Sequence, residues 1–428
     1  MIKRSFFGLA KPKLKTPAVA VGRQSDIKAI PLPQKVTLLL KSDEIGEGGL
    51  LIQIGDKVRT GQRLRIGDED RTYCISPVTG TVCSIARHTG YLGRSFRSIT
   101  IEATEEDQWD QEFGTEGGTP SQDNALRFLG SLPGAPEFKN LLDPRFPIKI
   151  VVISGMDRDL LVETNRHLLR TDRGDLKQGI EVLKKIRPVG RVVLAVPSDL
   201  VAKAPQSGVE VKVMDIAYPY TLPRLMVEKI LGEAVPATGK LEEAGVGFVS
   251  AEAVMALGKA FRDRVMPVEK VLTVIGKDES PTVVRVRVGT PVRDVLESLN
   301  IEAGHGDRIV FGGPMAGQAV YSLDAPVGVD TDALMIQDTT EVIPWADTHC
   351  VNCGECVRAC PADVPVNMLV RFLENGLFEE AAERYDLFSC VECGLCSYVC
   401  IARIPIFQYI MLGKYECNRM NQAEESHA

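Results

Sequence analysis

Apolar and polar positions change rhythm several times along this 428-residue chain, and each change predicts a different architecture. Over residues 30–105 the apolar runs are short and stopped by Gly, Pro and Asp. Segments 36–40, 50–54, 73–75, 80–85 and 98–102 read as strands. Over 125–266 the runs at 148–153 and 191–196 are continuously apolar, as in strands buried on both faces of a parallel sheet. A shorter, alternating run follows at 209–213. Helical spacing separates these runs at 159–169, 176–186 and 222–231, and a fourth helix is expected over 251–262. Alternation of strand and helix predicts an α/β layered domain. From 267 to 335 the pattern is β-rich again, with strands at 271–275 and 282–286, a helix at 292–299, and a run from Ile309 into the glycine-rich turn Gly312, Gly313, Gly317. That turn reads as punctuation rather than a phosphate cradle, because no helix N-terminus follows it. Beyond residue 340 the apolar positions return to helical spacing: Val366, Leu369, Val370 and Leu373, then Phe378, Ala381, Ala382 and Tyr385 after Gly376.

The expected organisation is multidomain α/β plus β. An N-terminal arm (1–29) precedes a barrel-sandwich domain (30–105) and a polar linker (106–124). A Rossmann-like α/β domain (125–266), a β-grasp domain (267–335) and a C-terminal α-helical segment (340–415) follow. Segments 55–64 and 76–82 are similar to the lipoyl-like barrel-sandwich of biotinyl and lipoyl carriers. Those carriers bear their group on a Lys at a hairpin tip, and Ser76-Pro-Val-Thr-Gly80 has none, so a docking module is expected instead of a swinging arm.

Composition narrows the classes. A net charge of −7 gives no electrostatic footprint for nucleic acid. No apolar run approaches the ~18 residues of a membrane span, so direct transmembrane insertion is not expected. The first fifteen residues are basic, but their apolar part is shorter than the ~7–15 residues of a secretory core.

The strongest chemistry lies in the cysteines. Cys350, Cys353, Cys356 and Cys360 form a C-x2-C-x2-C-x3-C run, and Cys390, Cys393, Cys396 and Cys400 repeat it. That is the ligand spacing of a two-cluster bacterial ferredoxin, in which the last Cys of each run serves the other cluster. We therefore expect two [4Fe–4S] clusters, one on Cys350, Cys353, Cys356 and Cys400, the other on Cys390, Cys393, Cys396 and Cys360. Structural zinc prefers paired C-x2-C spacings and fits a third Cys in each run poorly. Cys74, Cys83 and Cys417 are left over, an odd number that points to reduced thiols and a cytosolic setting. The five histidines, His88, His167, His305, His349 and His427, show no ligand spacing, and no catalytic constellation is expected. His349 adjoins Cys350, within reach of a cluster sulfur.

This module order, together with the 289–296 segment, the 312–317 turn and the two Cys runs, resembles the RnfC family. Its members are subunits of the Rnf electron-transport complex, the ferredoxin:NAD oxidoreductase of many bacteria. The likeness covers nearly the whole chain. It implies an α/β domain related to the NADH-binding flavoprotein of complex I, holding FMN and NADH. Three family signatures are altered here. The flavin loop, near G-x-G-G-A-G-F-P-T, is replaced at 128–138 by a segment keeping Gly130 and Gly134 but introducing Pro133 and Pro136. Those prolines remove N–H donors that would hold a flavin phosphate. The N-A-x-E-C-E-P signature gives way to Ser154-Gly-Met-Asp-Arg-Asp159, and Y-P-x-G-x-E-K to Tyr218-Pro-Tyr-Thr-Leu-Pro-Arg224.

The resemblance implies an electron-transfer subunit, which is part of an oxidoreductase complex rather than a complete enzyme. It would sit on the cytoplasmic face of the inner membrane through membrane subunits and exchange electrons with a soluble protein. A degenerate FMN and NADH site is expected. Two alternatives stay open: an NADH-oxidising, FMN-containing subunit with a remodelled site, and a free-standing iron–sulfur adaptor. Anaerobically purified protein is expected to carry about eight iron and eight acid-labile sulfide per chain. Stoichiometric zinc without sulfide would overturn the assignment.

Overall fold

The computed structural model describes residues 14–15, 27–42, 45, 50–66, 73–204, 208–237, 239–346 and 348–427. The basic residues 1–13 lie outside them.

The N-terminal sheet runs Lys35–Lys41, Ser95–Ala103, Gly80–Thr89, Lys57–Val58, with antiparallel neighbours. Strict alternation places Val36, Leu38, Leu40, Val82, Ile99 and Ile101 on the inner face, where they form the core with Val58 and Leu64. Segment 50–54 is not a strand. The Asp56 carboxylate accepts from the Gln53 amide at 2.8 Å, and Gly55 turns with φ +97°, so the apolar run is spent on a bend. The lipoyl-like turn is clamped in place: Val78 is fully buried, the Arg287 guanidinium donates to the Pro77 carbonyl at 3.3 Å, and the same guanidinium pairs with Asp107 at 2.6 Å.

The stretch expected as a polar linker departs from that reading. Phe113 is buried edge-on to Phe128 and Phe261, with ring centroids 5.6 and 5.3 Å away. Beside it Glu112 pairs with Arg63 at 2.8 Å, whose guanidinium lies over the Phe128 ring. One aromatic among polar neighbours is enough to pin the segment between the barrel and the helices.

The next layer is a parallel sheet ordered Glu210–Met214, Arg191–Pro197, Ile150–Ser154, Val246–Ser250. The sequence pattern does not announce its fourth strand, because Gly245 and Gly247 read as breakers. Gly247 instead marks a close approach, its bare Cα lying against the Leu141 side chain. The helix expected from residue 159 begins only at Thr164. Before it the Asp157 carboxylate accepts the Asn165 amide at 2.7 Å, which fixes 155–163 as a loop. Helices Arg173–Ile186 and Ala251–Asp263 meet at Gly179 and Gly258.

The six-stranded mixed sheet runs Gln318–Val320, Arg308–Phe311, Ala333–Gln337, Glu269–Ile275, Pro281–Arg287, Lys28–Ala29. Two of these strands, at 318–320 and 333–337, add to those expected, and two pieces of the presumed arm are docked. Lys28–Ala29 extends this sheet, while Leu14–Lys15 pairs antiparallel with Ala217–Tyr218. Between the two sheets Lys270 is fully buried. Its ammonium donates to Glu252 at 2.5 Å, to the Val271 carbonyl at 2.7 Å and to Asp332 at 3.4 Å. Burial opposes its charge, but the Glu252 and Asp332 carboxylates hold its pKa above the ordinary lysine value.

The C-terminal region is helical: Glu355–Ala359, Val366–Glu374, Phe378–Arg384, Leu395–Tyr398 and the long Ile406–His427, which apolar spacing alone does not mark. Among the described residues no helix is long and apolar enough to cross a membrane.

Lys270→Ala leaves the buried Glu252 carboxylate without its cation and takes one of two cations from Asp332. It should lower the stability of the unit around the six-stranded sheet by about 3–5 kcal/mol. Urea unfolding followed by circular dichroism measures this, and a wild-type midpoint would show that the triad is solvated.

Candidate metal centres

The two Cys runs fold alike. Each passes through two left-handed residues between its first three cysteines: Asn352 and Gly354 (φ 57° and 72°) in one, Glu392 and Gly394 (φ 58° and 68°) in the other. Each then enters a short helix, Glu355–Ala359 or Leu395–Tyr398, that carries the third thiol. A third matched pair, Asp363 and Arg403 (φ 55° and 54°), turns the chain after the fourth Cys. Such turns wrap the chain around a point, so three thiols of one run face the same space.

The fourth thiol of each run faces the other set. Cys350, Cys353, Cys356 and Cys400 line one cleft, backed by Val370, Ile404 and Ile406. Burial pushes the Cys356 thiol up to about 11, and Cys350, Cys353 and Cys400 beside it act in the same direction. Around the second run burial pushes Cys390 up to about 11 and Cys393 up to about 12, with Cys360 contributing to both. Cys396 is raised well above the ordinary thiol value by burial, and by Cys390, Cys393 and Cys360. Backbone amides reach two sulfurs: Glu392 N to Cys390 Sγ and Ile404 N to Cys400 Sγ, each at 3.4 Å. Among the described residues no three His, Cys, Asp or Glu side chains gather closely enough to hold a single metal ion. The donor chemistry fits an iron–sulfur group. Buried thiols that repel one another as thiolates lose their protons readily only to bound metal, which neutralises them.

The sets differ in surroundings. Cys353 is exposed, and Val351 and Ile401, which line the same cleft, are exposed too. The second set is enclosed by every other part of the fold. From the α/β layer the buried Tyr218 hydroxyl donates to the Cys393 carbonyl at 2.6 Å. From the mixed sheet the glycine-rich turn brings the Met315 carbonyl against Gly394, so closely that a Cβ there would collide. The Asp159 carboxylate holds that turn, accepting from the amides of Met315 at 3.2 Å and Ala316 at 2.9 Å. Burial pushes Asp159 up to about 6 even though these amides pull it down. From the barrel the hairpin end brings the Arg94 guanidinium over the Tyr415 ring, 5.6 Å from its centroid. Lys414 closes the last side, donating to the Cys390 carbonyl at 2.7 Å and to Glu392 at 2.8 Å.

No sequence pattern singles out Tyr218, Lys414, Asp159 or Met315. Tyr218 is visible only as part of an altered motif, and the 312–317 turn only as punctuation. His349 is exposed, and His88 stacks on Tyr321 with centroids 6.2 Å apart.

The altered flavin loop is engaged with its own chain. Gly130 N donates to the Tyr73 hydroxyl at 2.9 Å, Gly134 N to the Val329 carbonyl at 2.7 Å, and Leu132 and Ala135 bond each other. Gly134 packs against Ser250 and Glu252, at the C-terminal end of the fourth parallel strand. At the end of the first strand, burial pushes Asp157 up to about 8, and its oxygens cap the following helix. The Gly130 and Gly134 amides, two donors that a phosphate at this loop could use, are thus spent within the chain.

Comparison with known proteins agrees with the two ends of the chain. Residues 10–106 match the RnfC barrel sandwich hybrid domain, and residues 349–404 match a 4Fe-4S dicluster domain. The chain is 29% identical to the RnfC component of the ion-translocating oxidoreductase complex of Pectobacterium carotovorum, over 97% of its own length and 58% of that protein's. It is 28% identical to the corresponding component from Klebsiella pneumoniae over 98% and 58%. It therefore spans under two thirds of the relatives it matches. A solved NAD+-reducing [NiFe]-hydrogenase aligns with a TM-score of 0.46 at 13% identity, over 71% of this chain and 65% of that one.

If Cys360 belongs with the second run, Cys360→Ser should perturb the same EPR signal as Cys393→Ser and leave the other unchanged. A change confined to the signal that Cys353→Ala removes would show that each run closes on itself.

Proposed function

We propose that this chain, a relative of the RnfC components of ion-translocating oxidoreductase complexes, relays single electrons within a membrane-bound redox assembly. The observation that carries the reading is the exchange of fourth thiols. Cys400 lies with the first run and Cys360 with the second. We assign Cys350, Cys353, Cys356 and Cys400 to one [4Fe–4S] cluster, and Cys390, Cys393, Cys396 and Cys360 to the other. When bound, such clusters take up and release one electron each. The chain's own residues do the rest. The left-handed pairs aim the thiols, Leu395, Leu387 and Leu369 exclude water, and the amides of Glu392 and Ile404 donate to sulfur. Because Cys360 and Cys400 cross between sets, the two groups are held in one rigid frame, which suits transfer between fixed sites.

In this reading the parallel sheet is a Rossmann-like layer and the mixed sheet a β-grasp unit. Both serve as framework around the second thiol set. The barrel, with its turn clamped by Arg287, is a docking module. Membrane subunits of the complex would tether the chain at the cytoplasmic face, with a soluble electron carrier as the other partner. The FMN and NADH site is degenerate in this reading, since Pro133 and Pro136 lack N–H donors and the Gly130 and Gly134 amides bond within the chain. Each lost contact to a phosphate is worth ~1.5–3 kcal/mol, so two cost on the order of a hundredfold or more in affinity.

The purified chain should accordingly lack a flavin absorbance band. NADH should leave its visible spectrum unchanged, while dithionite bleaches it. Stoichiometric FMN or rapid bleaching by NADH would overturn this part and restore an NADH-oxidising role.

A further inference from the structure

We infer that Tyr218 and Lys414 are positioning residues that raise the reduction potential of the group on the second thiol set, acting through the peptide carbonyls of its ligands. The inference rests on the relay reading above. Both side chains reach the second Cys run from elsewhere in the chain and end on the same kind of acceptor. Tyr218 Oη donates to the Cys393 carbonyl at 2.6 Å, and Lys414 Nζ donates to the Cys390 carbonyl at 2.7 Å. Neither is freely solvated: Tyr218 is 2% exposed, and the Lys414 side chain 13%.

The electrostatics have a definite sign. A group that accepts an electron gains negative charge, so a fixed cation or the positive end of an O–H dipole nearby favours its reduced form. Low exposure strengthens both effects, because little water is present to screen them. Glu392 works in the opposite sense, since its carboxylate lies 2.8 Å from Lys414 and neutralises part of that charge. Among the described residues the first run has a weaker counterpart. Arg358 donates to the Cys353 carbonyl at 2.7 Å, but its side chain is 58% exposed and is shared with Glu355. Solvent screens such a pair to little effect. Burial alone disfavours added charge at the second site, and these two donors oppose that penalty.

The test uses the full chain, purified anaerobically, with redox titrations followed by EPR. The signal of the second set is identified as the one that Cys396→Ala removes. Tyr218→Phe and Lys414→Met should each lower the midpoint of that signal at unchanged iron content. Lys414→Met should change the one-electron equilibrium on the order of tenfold, ~59 mV, and Tyr218→Phe by less. Glu392→Gln should raise the same midpoint, and the other signal should stay in place in all three. A purely structural role would not give opposite signs from neighbouring residues. Unchanged midpoints at full iron content would overturn the inference, as would equal movement of both signals or a fall in Glu392→Gln. Loss of iron in both Tyr218→Phe and Lys414→Met would assign them to holding the group rather than tuning it, and also overturns it. Should only Lys414→Met fail to fold, Tyr218→Phe decides, since it keeps the ring. A wild-type chain without iron and sulfide would refute the relay reading itself.

Discussion

The enclosure of the second thiol set is the constraint around which the domains are arranged. Burial and mutual repulsion hold Cys390, Cys393 and Cys396 well above the ordinary thiol range, so they give up their protons only to a group that neutralises the thiolates. The fold treats this place as its centre. A tyrosine comes from the short strand Ala217–Tyr218, a carbonyl from the turn of the mixed sheet, a hairpin from the barrel and a lysine from the last helix. Each contact is small, but together they fix how four units meet. Leu14, Leu222 and Leu395 fill the space between them and make the junction apolar as well as hydrogen-bonded.

A second junction keeps the two sheets together. Lys270, Glu252 and Asp332 form a buried triad in which no charge is left without a partner. Ion pairs of this kind contribute little net stability but penalise any arrangement that separates them. Here the penalty falls on sliding one sheet past the other. The triad also stands beside the loop around Gly134, at the C-terminal end of the parallel strand Val246–Ser250.

Much of this is legible in the sequence, for physical reasons. The Cys spacing states its chemistry directly, because three thiols aimed at one point demand short, fixed intervals. Continuous apolar runs at 148–153 and 191–196 announce a parallel sheet, and short strands between Gly and Pro turns announce the barrel. The failures have a common cause: a residue's role is set by what approaches it from far along the chain. Gly247 reads as a breaker because its neighbour Leu141 lies outside any local window. Phe113 is lost in a polar stretch because its partners Phe128 and Phe261 come from later helices. Tyr218 looks like the remnant of an altered motif, since nothing local reveals Cys393 as its acceptor. Conversely, 50–54 has the composition of a strand and loses it to a neighbouring Asp56 turn.

The unequal exposure of the two thiol sets bears on how the protein is made. The cleft around Cys353 opens to solvent and is reachable from outside once the chain has folded. The second set has Tyr218 over one ligand, Met315 against Gly394 and Lys414 across the third side. Three of its thiols, Cys360, Cys393 and Cys396, are buried, and Cys390 is partly exposed. Iron and sulfide therefore reach the outer thiols more readily than the inner ones in the folded chain, which favours filling the inner site before the domains close.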